Sequence, residues 1–314
     1  MKKTLAILIA LVMVFTCASA LAEFELTTGG PAGTYYGYSN VLAQYITNNT
    51  DVAITAVTSN GSADNIDKLD LNVSQLGTVQ NDVAYYAYNG IRVFEGAPVT
   101  SFTALAALYT ETVQLITCDP EIKSVADLAG KTVSIGASGS GVYYNALDFL
   151  AAYDLSENDI TPTYESFDAS AESLKDHKID AAFVVAGHPT PAVTDLCTTT
   201  GAYLVSLDAE HVAKLQEINS AYAETIIPAG TYAGIDEDVT TVGIKATLIA
   251  NGEVSEDEAY TIVSTIFENA DAIAEQHAKG LELDLEYAST CGLPYHAGAA
   301  KYFSEKGFEV EVAE

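Results

Sequence analysis

Positive charge is the scarcest property of this 314-residue sequence. Lys and Arg number 13 against 43 Asp and Glu, the formal net charge is −30 at pH 7, and Arg92 is the only arginine. Nucleic acid is excluded as a partner, because neutralising phosphates takes clustered Lys and Arg. Tryptophan is absent, and the four cysteines are Cys17, Cys118, Cys197 and Cys291. Their long, irregular spacing is neither a zinc pattern nor a disulfide framework, and the last three read as small buried apolar residues. The five histidines, His177, His188, His211, His277 and His296, are scattered, so no metal cluster is expected. No low-complexity linker and no repeat of 20–50 residues is present. At 49% hydrophobic and 18% charged, the chain is not of disordered composition. Its length suits one large domain or two of roughly 100–150 residues.

The N-terminus carries an export pattern. Lys2 and Lys3 precede an apolar run, Leu5 to Phe15, and then the small residues Cys17, Ala18, Ser19, Ala20 and Ala22. This is the layout of a secretory leader, residues 1–22, cut after Ala22. The run is shorter than the roughly 20 apolar residues of a membrane span. Lipid attachment at Cys17 is the alternative, although Thr16 stands where that signal wants Gly, Ala or Ser. The chain is expected to be exported, soluble or tethered by lipid.

From residue 24 the sequence alternates strand and helix signals. Phe24–Thr27, Val52–Val57, Gln75–Val79 and Phe102–Leu108 read as strands, with helices over Thr34–Thr47, Ser62–Leu69 and a Tyr-rich stretch stopped by Gly90. The middle repeats the plan. It has extended runs at Val113–Thr117, Lys131–Ile135, around Tyr164, at Ile179–Ala186 and at Ala202–Leu207, with helices between them. The tail offers a strand at Val242–Ile249, a long helix from Glu256 to about Lys279, and a short helix after His296. This order predicts parallel sheets flanked by helices, in two α/β lobes between which the chain crosses more than once.

Ligands of open α/β sheets bind at the carboxyl ends of strands. Four segments lie there: Thr34-Tyr35-Tyr36, Asn60-Gly61-Ser62, Gln80-Asn81-Asp82 and Gly136-Ala137-Ser138-Gly139-Ser140-Gly141. The last joins a strand to a helix, and its backbone N–H groups can hold an anion without a cationic side chain. A plain Gly-rich turn is the competing reading. Enzyme motifs fail on inspection. Val125 replaces the upstream Gly of a phosphate loop ending at Gly130-Lys131-Thr132, and Ser140 replaces the last Gly of G-x-S-x-G. Asp67, Asp70 and Asn72 lack the Gly and closing Glu of a calcium loop. His188 has no nucleophile to pair with and reads as structural.

Several stretches together carry a family likeness: Thr28-Gly-Gly-Pro-Ala-Gly-Thr-Tyr-Tyr36, Leu108-Tyr-Thr-Glu-Thr-Val113, Val133-Ser-Ile-Gly-Ala-Ser-Gly-Ser-Gly141, Ile179-Asp-Ala-Ala-Phe-Val-Val-Ala-Gly-His-Pro-Thr-Pro191 and Pro294-Tyr-His-Ala-Gly-Ala-Ala-Lys-Tyr302. They resemble the TAXI family of solute-binding subunits of TRAP transporters. The resemblance implies a two-lobed periplasmic-binding-protein fold with two crossing strands. The first lobe is then 23–112 with 208–314, and the second 113–207. Hinge closure holds a small carboxylate-bearing solute, which is glutamate, glutamine or a dicarboxylate such as 2-oxoglutarate. A monomer would then deliver it to integral-membrane TRAP subunits, with no catalysis, cofactor or metal. A sensor or an ABC-type importer is the alternative destination. The expected ligand-binding residues are Thr34, Tyr35, Tyr36, Asn60, Ser62, Gln80 and Asp82 from one lobe. Ser138, Gly139, Ser140, Gly141, Asn145 and Gly187 come from the other. Arg92 is expected to lie away from the site, so helix N-termini and hydroxyls hold the carboxylate. Asp82 is expected to receive an ammonium, which tips the choice toward a zwitterionic amino acid. Pro31, Ala137 and His188 depart from the family pattern and leave the solute open.

Overall fold

The computed structural model describes residues 22–313; residues 1–21 of the expected leader, Cys17 among them, lie outside these, and Ala22, its expected last residue, lies in the first strand. The chain opens with β1 (Ala22–Thr27), α1 (Thr34–Asn49), β2 (Val52–Val57), α2 (Ser62–Asp70), β3 (Leu76–Gln80) and α3 (Asn81–Asn89). Gly90 ends α3 in the left-handed region, φ +61°, where a side chain is disfavoured. A 3₁₀ turn, Arg92–Phe94, leads to β4 (Phe102–Thr117). The middle runs β5 (Thr132–Ser134), α4 (Val142–Ala152), β6 (Thr161–Thr163), α5 (Phe167–Lys175), β7 (Ala181–Ala186), α6 (Pro191–Thr199) and β8 (Tyr203–Leu204). Then come α7 (Ala209–Ile218), β9 (Ala223–Ile227), β10 (Val239–Asn251), α8 (Glu256–Glu268), α9 (Ala270–Ala274), a 3₁₀ turn at Ala278–Glu282, α10 (Leu285–Ala288) and α11 (Ala297–Glu305).

The strands order as β2-β1-β3-β10-β4-β7-β5-β6, with β8 on β4 and β9 on β10. β1 pairs in parallel with β2 and β3, and β5 with β6 and β7. The antiparallel pairs all involve β4 or β10. These two long strands join the lobes. Up to Thr112↔Gly243 they pair with each other; beyond it β4 pairs with β7, and β10 with β9. The sequence splits β4 into two strands. It is one, because nothing between Leu108 and Val113 breaks an extended chain and all but Thr110 of that stretch is buried. β10 also inserts between β3 and β4, so the fourth strand is not the parallel neighbour of the third.

Hydrophobic burial divides along the same line. Leu26, Tyr38, Ile66, Val79, Phe102, Leu248, Ile262 and Phe303 belong to one cluster. In the other lobe β7 is buried on both faces: Phe183 and Val185 face a cluster with Phe149 and Leu215, and Ala182 and Val184 face one with Leu196 and Tyr232. Helix α7 and β9, which the sequence patterns leave unassigned, pack here through Val212, Leu215 and Ile227, as does Tyr222 in the link between them. The chain therefore returns to the first lobe through β10 near Gly243, not at Asp208. The long tail helix is also broken. Asn269 stops α8, its amide bonding back to Thr265 O at 2.8 Å and its Oδ1 accepting from Tyr45 at 3.0 Å. Gly280 then packs against the Ala274 backbone, where a Cβ would lie 2.5 Å from a nitrogen.

Candidate functional site

The first turns of α1, α4 and α5 converge between the lobes. With Gly29, Ser59, Asn60, Ser62, Gln80, Glu111 and Glu165 they line a cavity of about 80 Å³, room for roughly five to eight water-sized groups. The N-terminal residues of α1 and α4, Gly33 and Gly141, supply no side-chain cap. Their first turns, in the cavity wall, thus keep backbone N–H groups without a side-chain acceptor, and the helix dipole favours an anion there. Helix α2 differs: Gly139 O, from the other lobe, accepts from Ala63 N at 3.0 Å and Asp64 N at 3.1 Å. Thr34 Oγ1 donates to Gly187 O at 2.9 Å, another bond between lobes.

The same wall holds Glu111, on the crossing strand β4. It is 1% exposed, and Tyr35 Oη donates to its Oε1. Burial pushes its carboxyl well above the usual range, and Asp82 adds to this; the Tyr35 hydrogen bond and the Lys279 charge oppose it. Burial likewise raises the Tyr35 phenol. Lys279 is committed to Glu282, whose Oε2 accepts from Thr110 N at 3.0 Å. The lining holds three carboxylates, Glu111, Glu165 and Asp168, and no Lys or Arg. Gln80 Oε1, Ser140 Oγ and Glu165 Oε2 are buried without a hydrogen-bond partner among the described residues. Buried polar atoms are seldom left unpaired, which makes these three candidates for solute contact.

The structure brings Thr34, Tyr35, Asn60, Ser62, Gln80, Ser140 and Gly141 to this cavity. Tyr36, Asp82, Ser138, Gly139, Asn145 and Gly187 are not in its wall. Ser138 and Gly139 are exposed, and the Gly loop is closed on itself by Ser140 N to Ala137 O at 3.0 Å. It therefore offers Ser140 Oγ and the start of α4 rather than a run of free N–H groups. Asp82 faces away: Oδ1 accepts from Val83 N at 2.7 Å, and Oδ2 from Asn145 at 3.0 Å and Asn219 at 3.2 Å. Burial raises its carboxyl to about 6. Glu111, and not Asp82, is a buried acid of the cavity wall. The signal was present, since Glu111 is the one charged residue of an otherwise uncharged 16-residue strand. Arg92 lies outside the cavity as expected, but it is an interlobe contact, 2.6 Å from Asp148.

Solved structures share this architecture. The alkanesulfonate-binding protein SsuA from Xanthomonas axonopodis pv. citri, bound to MOPS, is 15% identical, with 92% of each chain covered and a TM-score of 0.51. The GluR0 ligand-binding core from Nostoc punctiforme, in complex with L-glutamate, is 13% identical, covering 83% of this chain and all of the other, TM-score 0.51. The ligand-binding component of an ABC-type import system from Staphylococcus aureus is 11% identical, covering 93% and 97%, TM-score 0.53. At such identities the likeness establishes the fold, which is that of the two-lobed periplasmic binding proteins. The sequence profile of the NMT1-like family matches residues 26–307, nearly the whole described chain, and the protein belongs to that family.

Proposed function

We propose that the chain is an extracytoplasmic solute-binding protein that closes its lobes on a small α-amino acid and passes it to a membrane importer. One observation carries the reading. A buried carboxyl, Glu111, shares with the uncapped starts of α1 and α4 the wall of a cavity that no basic residue lines. The first suits an ammonium and the second a carboxylate. The resemblance to TAXI subunits makes glutamate and glutamine the first candidates and TRAP membrane subunits the destination. 2-Oxoglutarate ranks below them, because it has no ammonium to offset the charge of Glu111, Glu165 and Asp168. The importer class named for the S. aureus neighbour, ABC-type, is the alternative destination. The protein acts by binding alone: no histidine lines the cavity to serve Ser140 as a base. Export fits the Lys2–Ala22 pattern, and no helix among the described residues is long and apolar enough to cross a membrane.

The test is a thermal-shift screen of the purified chain against amino acids, dicarboxylates, 2-oxo acids and sugars. A ligand of the folded state raises the melting point with the logarithm of its saturation. Glutamate or glutamine should shift it more than 2-oxoglutarate. A flat response to every carboxylate, with a shift for an uncharged solute, overturns the reading.

A further inference from the structure

We propose that Asp82 and Asn145, which do not touch the solute, determine its chemistry by fixing which end of the Gln80 amide serves the cavity. The proposal rests on the amino-acid reading above and explains why Gln80 acts as an acceptor. Gln80 Nε2 donates to Asn145 Oδ1 at 3.1 Å. Its Oε1 is thereby turned toward Gly141 and the cavity wall, buried and unpartnered. Asn145 is itself fixed from behind. Its Nδ2 donates to Asp82 Oδ2 at 3.0 Å and to Tyr222 Oη at 2.8 Å. Tyr222 Oη in turn donates to Asp148 Oδ2 at 3.1 Å, and Arg92 anchors the far side of Asp148.

The chemistry of the groups makes this a one-way chain. An ionised carboxylate only accepts, whereas an amide end either accepts or donates. Asp82 therefore demands the nitrogen of Asn145. The oxygen of Asn145 is left for Gln80, and it demands the nitrogen of Gln80. What remains for the solute is an acceptor oxygen, matched to an N–H or O–H donor. Asp82 and Gln80 belong to one lobe, and Asn145, Asp148 and Tyr222 to the other, so the order is complete only when the lobes meet. The backbone supports a constrained arrangement: Arg92 sits at φ +57°, a left-handed conformation unusual for a non-glycine residue, with its guanidinium 5.3 Å from the Tyr86 ring.

L-Glutamate and 2-oxoglutarate differ at Cα by an ammonium against an oxo group, and both are titrated calorimetrically into wild type, Asp82→Asn and Asn145→Leu. An amide at position 82 offers a donor as well as an acceptor, so the chain can reverse and present Gln80 Nε2. A leucine at 145 removes the constraint at similar volume. The preference for glutamate over 2-oxoglutarate should fall at least tenfold in both variants. A preference unchanged in variants that still melt cooperatively overturns the proposal. A second readout needs no solute: in wild type the Gln80 side-chain NH₂ should exchange slowly and show a nuclear Overhauser contact to Asn145, and Asp82→Asn should lose both. Their absence in wild type also overturns the proposal. If they are present but neither compound binds, the amino-acid reading falls and the chain of fixed amides stands.

Discussion

Arg92 Nη2 lies 2.6 Å from Asp148 Oδ1, joining the 3₁₀ turn after α3 in one lobe to α4 in the other. The only arginine of the chain thus joins the lobes, and it lies outside the cavity wall. Asp148 is 2% exposed and Arg92 32%, so the pair lies between a surface bridge and a buried one. Removing the guanidinium strands a buried carboxylate, which should cost about 1–3 kcal/mol. Arg92→Ala is expected to lower the melting temperature and to widen the separation of fluorophores placed one on each lobe. Raising salt should weaken the wild type more than the variant. An unchanged separation and melting point would show that the pair does not restrain closure.

Glu111 gives the sharpest test of solute charge. Its carboxyl is raised by burial, and an ammonium placed beside it would lower it again. Glutamate binding should therefore release protons, measurable by calorimetry in buffers of different ionisation enthalpy. Glu111→Gln should abolish that release and weaken glutamate at least tenfold, about 1.4 kcal/mol, while leaving 2-oxoglutarate as tight or tighter. Equal losses for both ligands would mean that Glu111 supports the fold of the site and does not recognise the ammonium.

Periodicity and turn chemistry made the strands and helices of the first lobe legible. Val52–Val57 lies where alternation puts it, and Gly90 stops its helix in the left-handed region. What escaped depends on contacts distant in sequence. The continuity of β4 through Thr112 is set by pairing with β7 and β10, some 70 and 130 residues away. Asp82 lies at a strand's carboxyl end, where a site residue belongs. Yet its side chain is claimed by Asn145 and Asn219 from the second lobe, which no local pattern reveals. Glu111 was hidden by the opposite circumstance, an ordinary strand position made special by the cavity beside it.

The two serines of the Gly-rich loop should separate cleanly. Ser138 is exposed and absent from the cavity wall, while Ser140 Oγ lies in it, buried and unpartnered. Ser140→Ala is expected to weaken solute binding several-fold, by about 0.5–1.5 kcal/mol for a neutral hydrogen bond. Ser138→Ala should leave affinity within about 0.5 kcal/mol of wild type, as at ordinary surface positions. Neither should lower the melting point of the free protein. Equal effects on binding would mean that the loop acts through its backbone alone.

Asp82 should make solute selectivity and stability respond to pH in opposite directions. Burial, the largest cause, and Asp148 raise its carboxyl from 3.8 to about 6, against the hydrogen bonds of Val83, Asn145 and Asn219. Tyr86, Tyr222 and Glu111 also feel its charge, and Arg92 stands beyond Asp148. Because the folded value exceeds the unfolded one, the folded chain takes up a proton that the unfolded chain does not as pH falls through 6 toward 4. The contribution of Asp82 to unfolding free energy therefore rises across that window and is lost again above pH 6. Protonation also gives Asp82 a donor, which frees Asn145 and Gln80 to turn, so the preference for glutamate over 2-oxoglutarate should decline over the same window. Exposed carboxylates such as Asp159 and Asp208 have lowered values and act on stability with the opposite sign. The measurement is accordingly the difference between wild type and Asp82→Asn, in melting point and in selectivity, from pH 7.5 to 4.5. A selectivity step near pH 6 in wild type that persists in Asp82→Asn would remove Asp82 from the account.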